Sequence, residues 1–181
     1  MKTTPSQCLS LLPNQQPIQQ PATYQQVLAI LSAVVDPEIP VLTIEDLGIL
    51  RSVAWSDDAQ QWIISITPTY SGCPATDLIS TQIRLALLEH GIRNFSIRQV
   101  LSPAWTTDWM TEAGKEKLRQ YGIAPPVGKA IDEALLENTI VPCPRCGSTH
   151  TKLVSAFSST ACKAFYECQD CLEPFDHFKC H

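Results

Sequence analysis

The sequence feature that most restricts the fold of this chain is a pair of Cys-x-x-Cys motifs near its C-terminus. Cys143 and Cys146 form the first motif, and Cys168 and Cys171 form the second. Each motif closes a tight turn whose backbone amides point at the sulfur atoms, and two such turns complete a tetrahedron of thiolates around one metal ion. The stretch between the motifs is slightly longer than is usual in zinc ribbons. We therefore predict a ribbon module over residues 143–181 that depends on a bound metal for its folding.

The ligand set of this module favours a structural zinc ion. Four thiolates close the coordination sphere and leave no position open for a substrate. Iron in a rubredoxin-like site is the alternative because thiolates also bind iron, although Leu172 follows the second motif where such a site would have a turn glycine. Four further side chains remain as extra ligands, and the first of them is the best candidate: Cys162, His177, Cys180 and His181.

The composition of the whole chain indicates a cytoplasmic protein with neither a membrane nor a nucleic acid as its partner. The first residues lack the apolar stretch of a secretory signal, and no apolar run is long enough to cross a bilayer. The eight cysteines are then expected as thiols and metal ligands, because the cytosol is reducing. A net charge of -5 without a cluster of Lys and Arg argues against binding to a phosphate backbone.

The chain divides into four segments. Residues 1–21 are rich in Gln and Pro and are expected to form a flexible tail, because they carry too little apolar surface to offset the entropy of ordering. Residues 22–126 form the main domain, and the hydrophobic content of 44% is enough to build its core. Residues 127–142 are the predicted linker, and residues 143–181 are the ribbon module.

The main domain has the pattern of an α+β fold in which helices cover one face of a small mixed sheet. Its first helix begins after Thr23, whose hydroxyl forms a capping box with Gln26, and it ends at Asp36. The other predicted elements follow in order: strands at 49–55 and 62–67 joined as a hairpin, a helix from Pro74 to Gly91, a strand at 95–101, and a helix from Thr111 to Tyr121.

One cysteine of the main domain stands at a position suited to chemistry. Cys73 directly precedes Pro74, and proline is favoured at the first position of a helix, so Cys73 is predicted to be the N-cap. Unpaired amides and the helix dipole would stabilise a thiolate there, which makes a better metal ligand or nucleophile. An inert buried thiol is the alternative. We favour the functional interpretation because the thiol follows a strand and a glycine turn.

A second candidate is the acidic loop in the segment DPEIP, which contains Asp36 and Glu38. The two prolines hold this loop extended, so its carboxylates are presented rigidly. They could bind iron as hard oxygen ligands or accept hydrogen bonds near Cys73. A carboxylate that only caps the backbone, next to a solvated Glu, is an equally good interpretation of the sequence.

Three stretches of the main domain together resemble the SufT-type iron-sulfur assembly domain: DPEIPVLTIEDLGIL, TPTYSGCPATDLI and SPAWTTDWMTEAGKEKLRQYGIAPP. The resemblance covers residues 21–126. With the cysteine-rich tail that begins at CPRCG, the chain is similar to the accessory D subunits of bacterial phenylacetyl-CoA epoxidase systems. In that family the assembly domain is fused to a ribbon of this kind.

The resemblance implies an accessory factor that assists assembly of an iron-sulfur cluster or a di-iron centre in the oxygenase or reductase subunit of the epoxidase system. It makes Cys73 the thiol that handles the cargo, assigns Asp36 and Glu38 to the acidic loop of the family, and assigns Thr67 to its strand-end position. Iron or a cluster would be held transiently, and a homodimer could share a cluster between two Cys73 thiols. A structural subunit that bridges the complex without transferring metal is the alternative.

The residues themselves agree with a role that is not catalytic. A di-iron oxygenase needs Glu-x-x-His motifs on facing helices, and a dinucleotide-binding reductase needs a Gly-rich fingerprint. The sequence contains neither pattern. We therefore expect the chain to serve the epoxidase without turning over its substrate.

Overall fold

The computed structural model of the protein describes residues 22–70, 72–127 and 139–179. The predicted tail, most of the predicted linker, Cys180 and His181 lie outside the described residues. Within the described ranges, no helix is both long enough and apolar enough to span a bilayer. The elements in chain order are α1 (Tyr24–Leu31), β1 (Leu50–Ser56), β2 (Gln61–Ile66), α2 (Ala75–Glu89), β3 (Phe95–Gln99), a short 3-10 turn (Thr107–Trp109), α3 (Glu112–Tyr121), β4 (Ile123–Ala124), β5 (Thr151–Ser155), β6 (Lys163–Cys168) and β7 (Pro174–Phe178).

The start of α1 is confirmed, and its predicted end is wrong. Thr23 accepts a hydrogen bond from the Gln26 amide, and the Gln26 side chain accepts one from the Thr23 amide, which is the predicted capping box. The helix ends at Leu31 instead of Asp36. Beyond it the chain forms one tighter turn, and Val35 then pairs with Thr43 in an isolated β-bridge. The pairing of Val35 with Thr43 therefore ends the helix earlier than the helical spacing of Val34 and Val35 predicts.

The first sheet has the order β1-β2-β3 and is mixed, as predicted. Strands β1 and β2 form an antiparallel hairpin, and β3 lies parallel to β2. A parallel neighbour requires a crossover connection, and α2 supplies it. Alternate residues of β2 are buried, and they join residues of α1 and α2 in one apolar cluster: Trp62, Ile64 and Ile66 from the strand with Val27, Leu31, Ile79, Ile83 and Leu87 from the helices.

The second sheet has the order β4-β7-β6-β5. Strands β5, β6 and β7 pair antiparallel and form the ribbon, whereas β4 follows α3 directly and pairs with β7 in parallel. Gly122 ends α3 with a φ of 92°, and this left-handed conformation turns the chain into β4. The last strand before residue 126 is therefore part of the ribbon sheet.

Side chains of the ribbon also enter the core of the main domain. Cys162 and Phe178 belong to the same buried cluster as the residues of α1, α2 and β2. The Phe178 ring packs edge-on against Trp105, with 6.3 Å between ring centroids, and Trp105 Nε1 donates a hydrogen bond to the Leu47 carbonyl at 2.8 Å. The predicted division between residues 22–126 and 143–181 thus runs through a shared apolar interface.

Candidate metal centres

The four cysteines of the ribbon converge on one point. Their sulfur atoms all lie within 4.8 Å of one another, with 3.8 Å between Cys143 and Cys171 Sγ and 3.6 Å between Cys146 and Cys168 Sγ. A tetrahedral zinc ion with Zn–S bonds of about 2.3 Å requires sulfurs about 3.8 Å apart. The Cys171 amide also points at Cys168 Sγ, at 3.5 Å. The thiols are therefore arranged as ligands of one ion.

The residues that follow the two motifs both adopt a left-handed backbone conformation. Gly147 has a φ of 77°, and Leu172 has a φ of 61°. The lack of a glycine after the second motif was the reason to prefer zinc over rubredoxin-like iron. That reason does not hold in the structure, because Leu172 adopts the left-handed conformation that a glycine would supply. The thiol geometry fits either ion.

The extra ligands predicted for the ribbon metal do not join the four thiols. Cys162 lies outside the four-thiol group and packs against the main domain, so its assignment to the ribbon metal is wrong. His177 is buried, and its Nδ1 lies 3.3 Å from the Ala124 carbonyl oxygen. Burial lowers the pKa of His177 to about 4. Cys180 and His181 lie outside the described residues.

Polar and thiol side chains from three segments line a small cavity between the main domain and the ribbon. Its polar lining residues come from the acidic loop, from the start of α2 and from the ribbon: Asp36, Glu38, Thr69, Cys73, Thr76 and Cys162. The cavity has a volume of about 20 Å³, which is room for about one water molecule or one bare ion.

Cys73 lines this cavity. Helix α2 begins one residue later than predicted. Pro74 is the N-cap of α2 and already has helical dihedrals, so the assignment of Cys73 as the cap is wrong. The Thr69 hydroxyl points at Cys73 Sγ, at 3.9 Å. Burial and the neighbouring Cys73, to which the Tyr70 hydroxyl is hydrogen-bonded, raise the pKa of Tyr70 to about 12. Two hydroxyl groups thus flank the thiol.

The two carboxylates of the acidic loop have different surroundings. Asp36 Oδ1 accepts hydrogen bonds from the amides of Glu38 and Ile39, at 2.9 and 2.8 Å, so this side chain shapes the loop. Glu38 is half-buried, and its Oε2 lies 3.8 Å from Cys162 Sγ. Burial raises the pKa of both carboxyl groups. Of the two, Glu38 presents its carboxylate to a thiol.

Thr67 does not line the cavity, and Thr69 does. Ile66 and Pro68 also line the cavity. The Thr67 hydroxyl is buried without a hydrogen-bond partner among the described residues. Thr69 was not predicted from the sequence, although it lies only four residues before Cys73.

Cys162 was predicted as an extra ligand of the ribbon metal, but in the structure it lines the cavity with Glu38. Its contact with Glu38 joins positions 124 residues apart, and no local pattern reports such a contact. Burial, followed by the nearby carboxylates of Glu38 and Asp36, raises the pKa of Cys162 to about 11. The structure therefore shows two thiols and a carboxylate facing one cavity, each from a different segment.

Two family profiles match the chain. Residues 24–91 match the family described as iron-sulfur cluster assembly protein, and residues 129–179 match the PaaD zinc beta ribbon domain. The first match contains the acidic loop and Cys73, and the second contains the four ribbon cysteines and Cys162.

Two named relatives and one solved structure are similar to this chain. The D subunit of the 1,2-phenylacetyl-CoA epoxidase of Escherichia coli (strain K12) is 51% identical over 160 residues, which cover 88% of this chain and 94% of that protein. An Fe-S protein maturation auxiliary factor of Porphyromonas gingivalis (strain ATCC BAA-308 / W83) is 32% identical over 91 residues, which cover 50% of this chain and 85% of that protein. A crystal structure of a domain of unknown function, DUF59, from Bacillus anthracis is 26% identical, covers 52% of this chain and 89% of that chain, and has a TM-score of 0.47.

An iron-sulfur cluster assembly domain joined to a zinc β-ribbon defines the class of protein to which this chain belongs. Within that class, the chain belongs to the family of the 1,2-phenylacetyl-CoA epoxidase D subunits. The family resemblance drawn from the sequence motifs is confirmed, as is the α+β fold with an attached ribbon.

Proposed function

We propose that this chain is an accessory factor in phenylacetate degradation, which handles iron or an iron-sulfur cluster for the oxygenase or reductase of the phenylacetyl-CoA epoxidase. The iron or cluster is the cargo, and the ribbon metal is structural. The observation that carries the proposal is the meeting of Cys73 and Glu38 at one cavity, inside the segment that matches the iron-sulfur cluster assembly family. Thiolate and carboxylate ligands together suit borderline ions such as Fe(II).

The decisive variant for this proposal is Cys73→Ser. The hydroxyl has nearly the volume of the thiol but stays protonated near neutral pH, so it cannot replace a thiolate ligand. In cells that grow on phenylacetate, we expect the variant to accumulate at normal levels while the epoxidase loses iron or cluster and growth slows. Asp77→Asn, an exposed change in the first turn of α2, is the matched control and should support normal growth.

The competing function is a subunit that bridges the epoxidase complex without handling metal. It requires that the chain co-purify in fixed ratio with the other subunits and that Cys73→Ser leave their metal content unchanged. A fully metallated client and full growth in the Cys73→Ser strain would therefore reject the proposal in favour of this alternative.

The proposal also concerns what the chain does not do. We expect the isolated chain, supplied with phenylacetyl-CoA and a reduced nicotinamide cofactor, to consume no oxygen and to oxidise no cofactor, because the sequence has neither of the motifs that such reactions need. Turnover that persists after complete removal of the other subunits would contradict the accessory role.

A further inference from the structure

The main domain carries a groove between α1 and α2. Each helical segment lines it with side chains at positions i, i+1 and i+4, which lie on one face of a helix: Ala29, Ile30 and Ala33 from α1 and the turn after it, and Leu85, Ala86 and Glu89 from α2. The groove has a volume of about 1270 Å³, which exceeds the range of about 300–1,000 Å³ that is typical of small-molecule pockets. It is therefore large enough for a segment of polypeptide.

The surface of the groove is mainly apolar and partly exposed. Leu85 is 53% exposed, and Ala29 and Ala33 are exposed as well. Trp55 and Trp62 of the hairpin also line the groove. The small alanine side chains leave space that larger side chains of an occupant can fill. Removing this apolar surface from water would stabilise any segment that covers it.

One polar atom at the groove has an unmet hydrogen-bonding capacity. Gln82 lines the groove, and its Oε1 is buried without a hydrogen-bond partner among the described residues. A buried acceptor without a donor is unfavourable. A polypeptide offers backbone N–H groups as donors, and rotation of the Gln82 amide about its last side-chain bond presents the oxygen to the groove. An occupant with a peptide backbone therefore suits this surface.

The segment that adjoins the groove along the chain is residues 1–21, which lie outside the described residues. Ala22 lines the groove and is bonded directly to Pro21. Positions 3–21 contain no charged side chain, so packing them against apolar surface removes no charge from water. The segment has four large aliphatic side chains: Leu9, Leu11, Leu12 and Ile18. This is too few for a core of its own but enough to cover a surface that the main domain supplies.

The segment is long enough to reach every part of the groove. Along α1, the lining residues run from Ala22 to Ala33, which is about 17 Å at the rise of a helix. Ile18 is four residues from Ala22 and can lie up to about 14 Å from it, whereas Leu12 can lie up to about 36 Å from it. Both can therefore pack between the helices if the chain folds back at Ala22.

We propose that residues 9–18 fold back and pack in the groove between α1 and α2, so that the N-terminal segment of the chain covers an apolar face of its own main domain. Its aliphatic side chains fill the space above the alanines, and a backbone N–H pairs with Gln82. Because the segment is joined to the groove through Ala22, it docks at an effective concentration that a separate chain rarely reaches. The inference does not rest on the proposed function, since no described residue lines both this groove and the cavity at Cys73.

The test is cleavage of the full chain by chymotrypsin, which cuts after leucine, with the sites mapped by mass spectrometry. Only the undocked segment is cleaved. We expect cleavage after Leu9 and Leu11 to be at least about tenfold faster in Leu85→Asp than in wild type, which corresponds to a loss of about 1.4 kcal/mol in docking. Leu78→Asp is the matched control, because Leu78 lies on the same helix, is 56% exposed and does not line the groove. It should be cleaved as slowly as wild type.

A second pair of variants changes the segment and keeps both cleavage sites. Ile18→Asp should accelerate cleavage after Leu9 and Leu11 as Leu85→Asp does, whereas Gln15→Asp, which adds the same charge beside the aliphatic side chains, should not. Thermal unfolding of each variant establishes that the main domain is intact. If Leu85→Asp is destabilised, Ala29→Glu replaces it, since this change places a good helix former at an exposed position of α1.

Two results would overturn the inference. The first is an equal rate of cleavage in wild type, in the groove variant and in Ile18→Asp. The second is protection of wild type that increases with protein concentration and accompanies a dimeric mass on gel filtration, because the segment would then occupy the groove of a second copy. Protection that is independent of concentration and lost in the groove variant is the result expected.

Discussion

Mild acid should destabilise the interface between the ribbon and the main domain through His177. This side chain is 1% exposed, its Nδ1 lies 3.3 Å from the Ala124 carbonyl oxygen of β4, and its ring packs edge-on against Tyr166. Burial lowers the pKa of His177 from its usual 6.5 to about 4. The folded chain therefore holds a neutral imidazole over a pH range in which the unfolded chain holds a charged one.

The sign and size of the effect follow from these two pKa values. Between pH 6.5 and 4 the unfolded chain binds more protons, so the free energy of unfolding decreases as the pH decreases. The contribution of neutral His177 is fully present above about pH 6.5 and is lost on approaching pH 4. Each pKa unit corresponds to about 1.4 kcal/mol, so the full effect is about 3 kcal/mol, of which about 2 kcal/mol is lost by pH 5.

Urea unfolding at pH 7, 6 and 5 measures this effect when wild type is compared with His177→Asn. The asparagine amide can still donate to the Ala124 carbonyl but does not titrate, and acid effects on the ribbon thiolates are common to both proteins. We expect the stability difference to change by about 2 kcal/mol between pH 7 and pH 5. His150→Asn, which replaces an exposed histidine of the ribbon, is the control. Parallel pH profiles for wild type and His177→Asn would refute the reasoning.

Two further predictions concern the ribbon. Cys143→Ser should release the ribbon metal and expose residues 139–179 to protease, because metal binding supplies much of the folding free energy of so small a module; unchanged protease resistance would contradict this. Leu172→Gly should raise the free energy of unfolding by about 1 kcal/mol with the metal content unchanged, because Leu172 has a φ of 61° and a side chain in that conformation costs about 1–2 kcal/mol. A Leu172→Gly protein that is less stable than wild type would show that the turn is not strained.

Sequence patterns predicted the parts of this fold that depend on neighbouring residues. The capping box of Thr23 and Gln26 and the left-handed Gly91 after α2 each rest on contacts within one turn, and the convergence of the four ribbon thiols rests on two short motifs of the same kind. In each case the residue type restricts the local backbone directly. The structure confirms these elements nearly at the predicted boundaries.

The residues that line the cavity at Cys73 come from segments that are distant in the sequence. The sequence patterns therefore did not predict which side chains meet there. Cys162 resembled a spare ligand of the ribbon because it lies between two ribbon motifs, but packing turns it toward Glu38. Thr67 was assigned from the family resemblance as the strand-end position, whereas the residue that lines the cavity is Thr69, two positions further along the chain. Helix α1 was extended to Asp36 because an apolar stripe does not reveal that Val35 pairs with Thr43.

The size of the cavity that Cys73 and Glu38 line favours one of the two cargoes that the family resemblance allowed, which are iron and an iron-sulfur cluster. An iron-sulfur cluster contains several iron and sulfide atoms, whereas the cavity of about 20 Å³ has room for about one ion. With the acidic loop and the ribbon held as in this structure, the cavity would have to widen to hold a cluster. Anaerobic loading with Fe(II) and sulfide should therefore give iron that depends on Cys73 without acid-labile sulfide. Sulfide present in equal amount to iron in wild type, and lost in Cys73→Ser, would show that the segments separate to hold a cluster. If that sulfide appeared only in a dimeric fraction on gel filtration, the cluster would be shared between two Cys73 thiols.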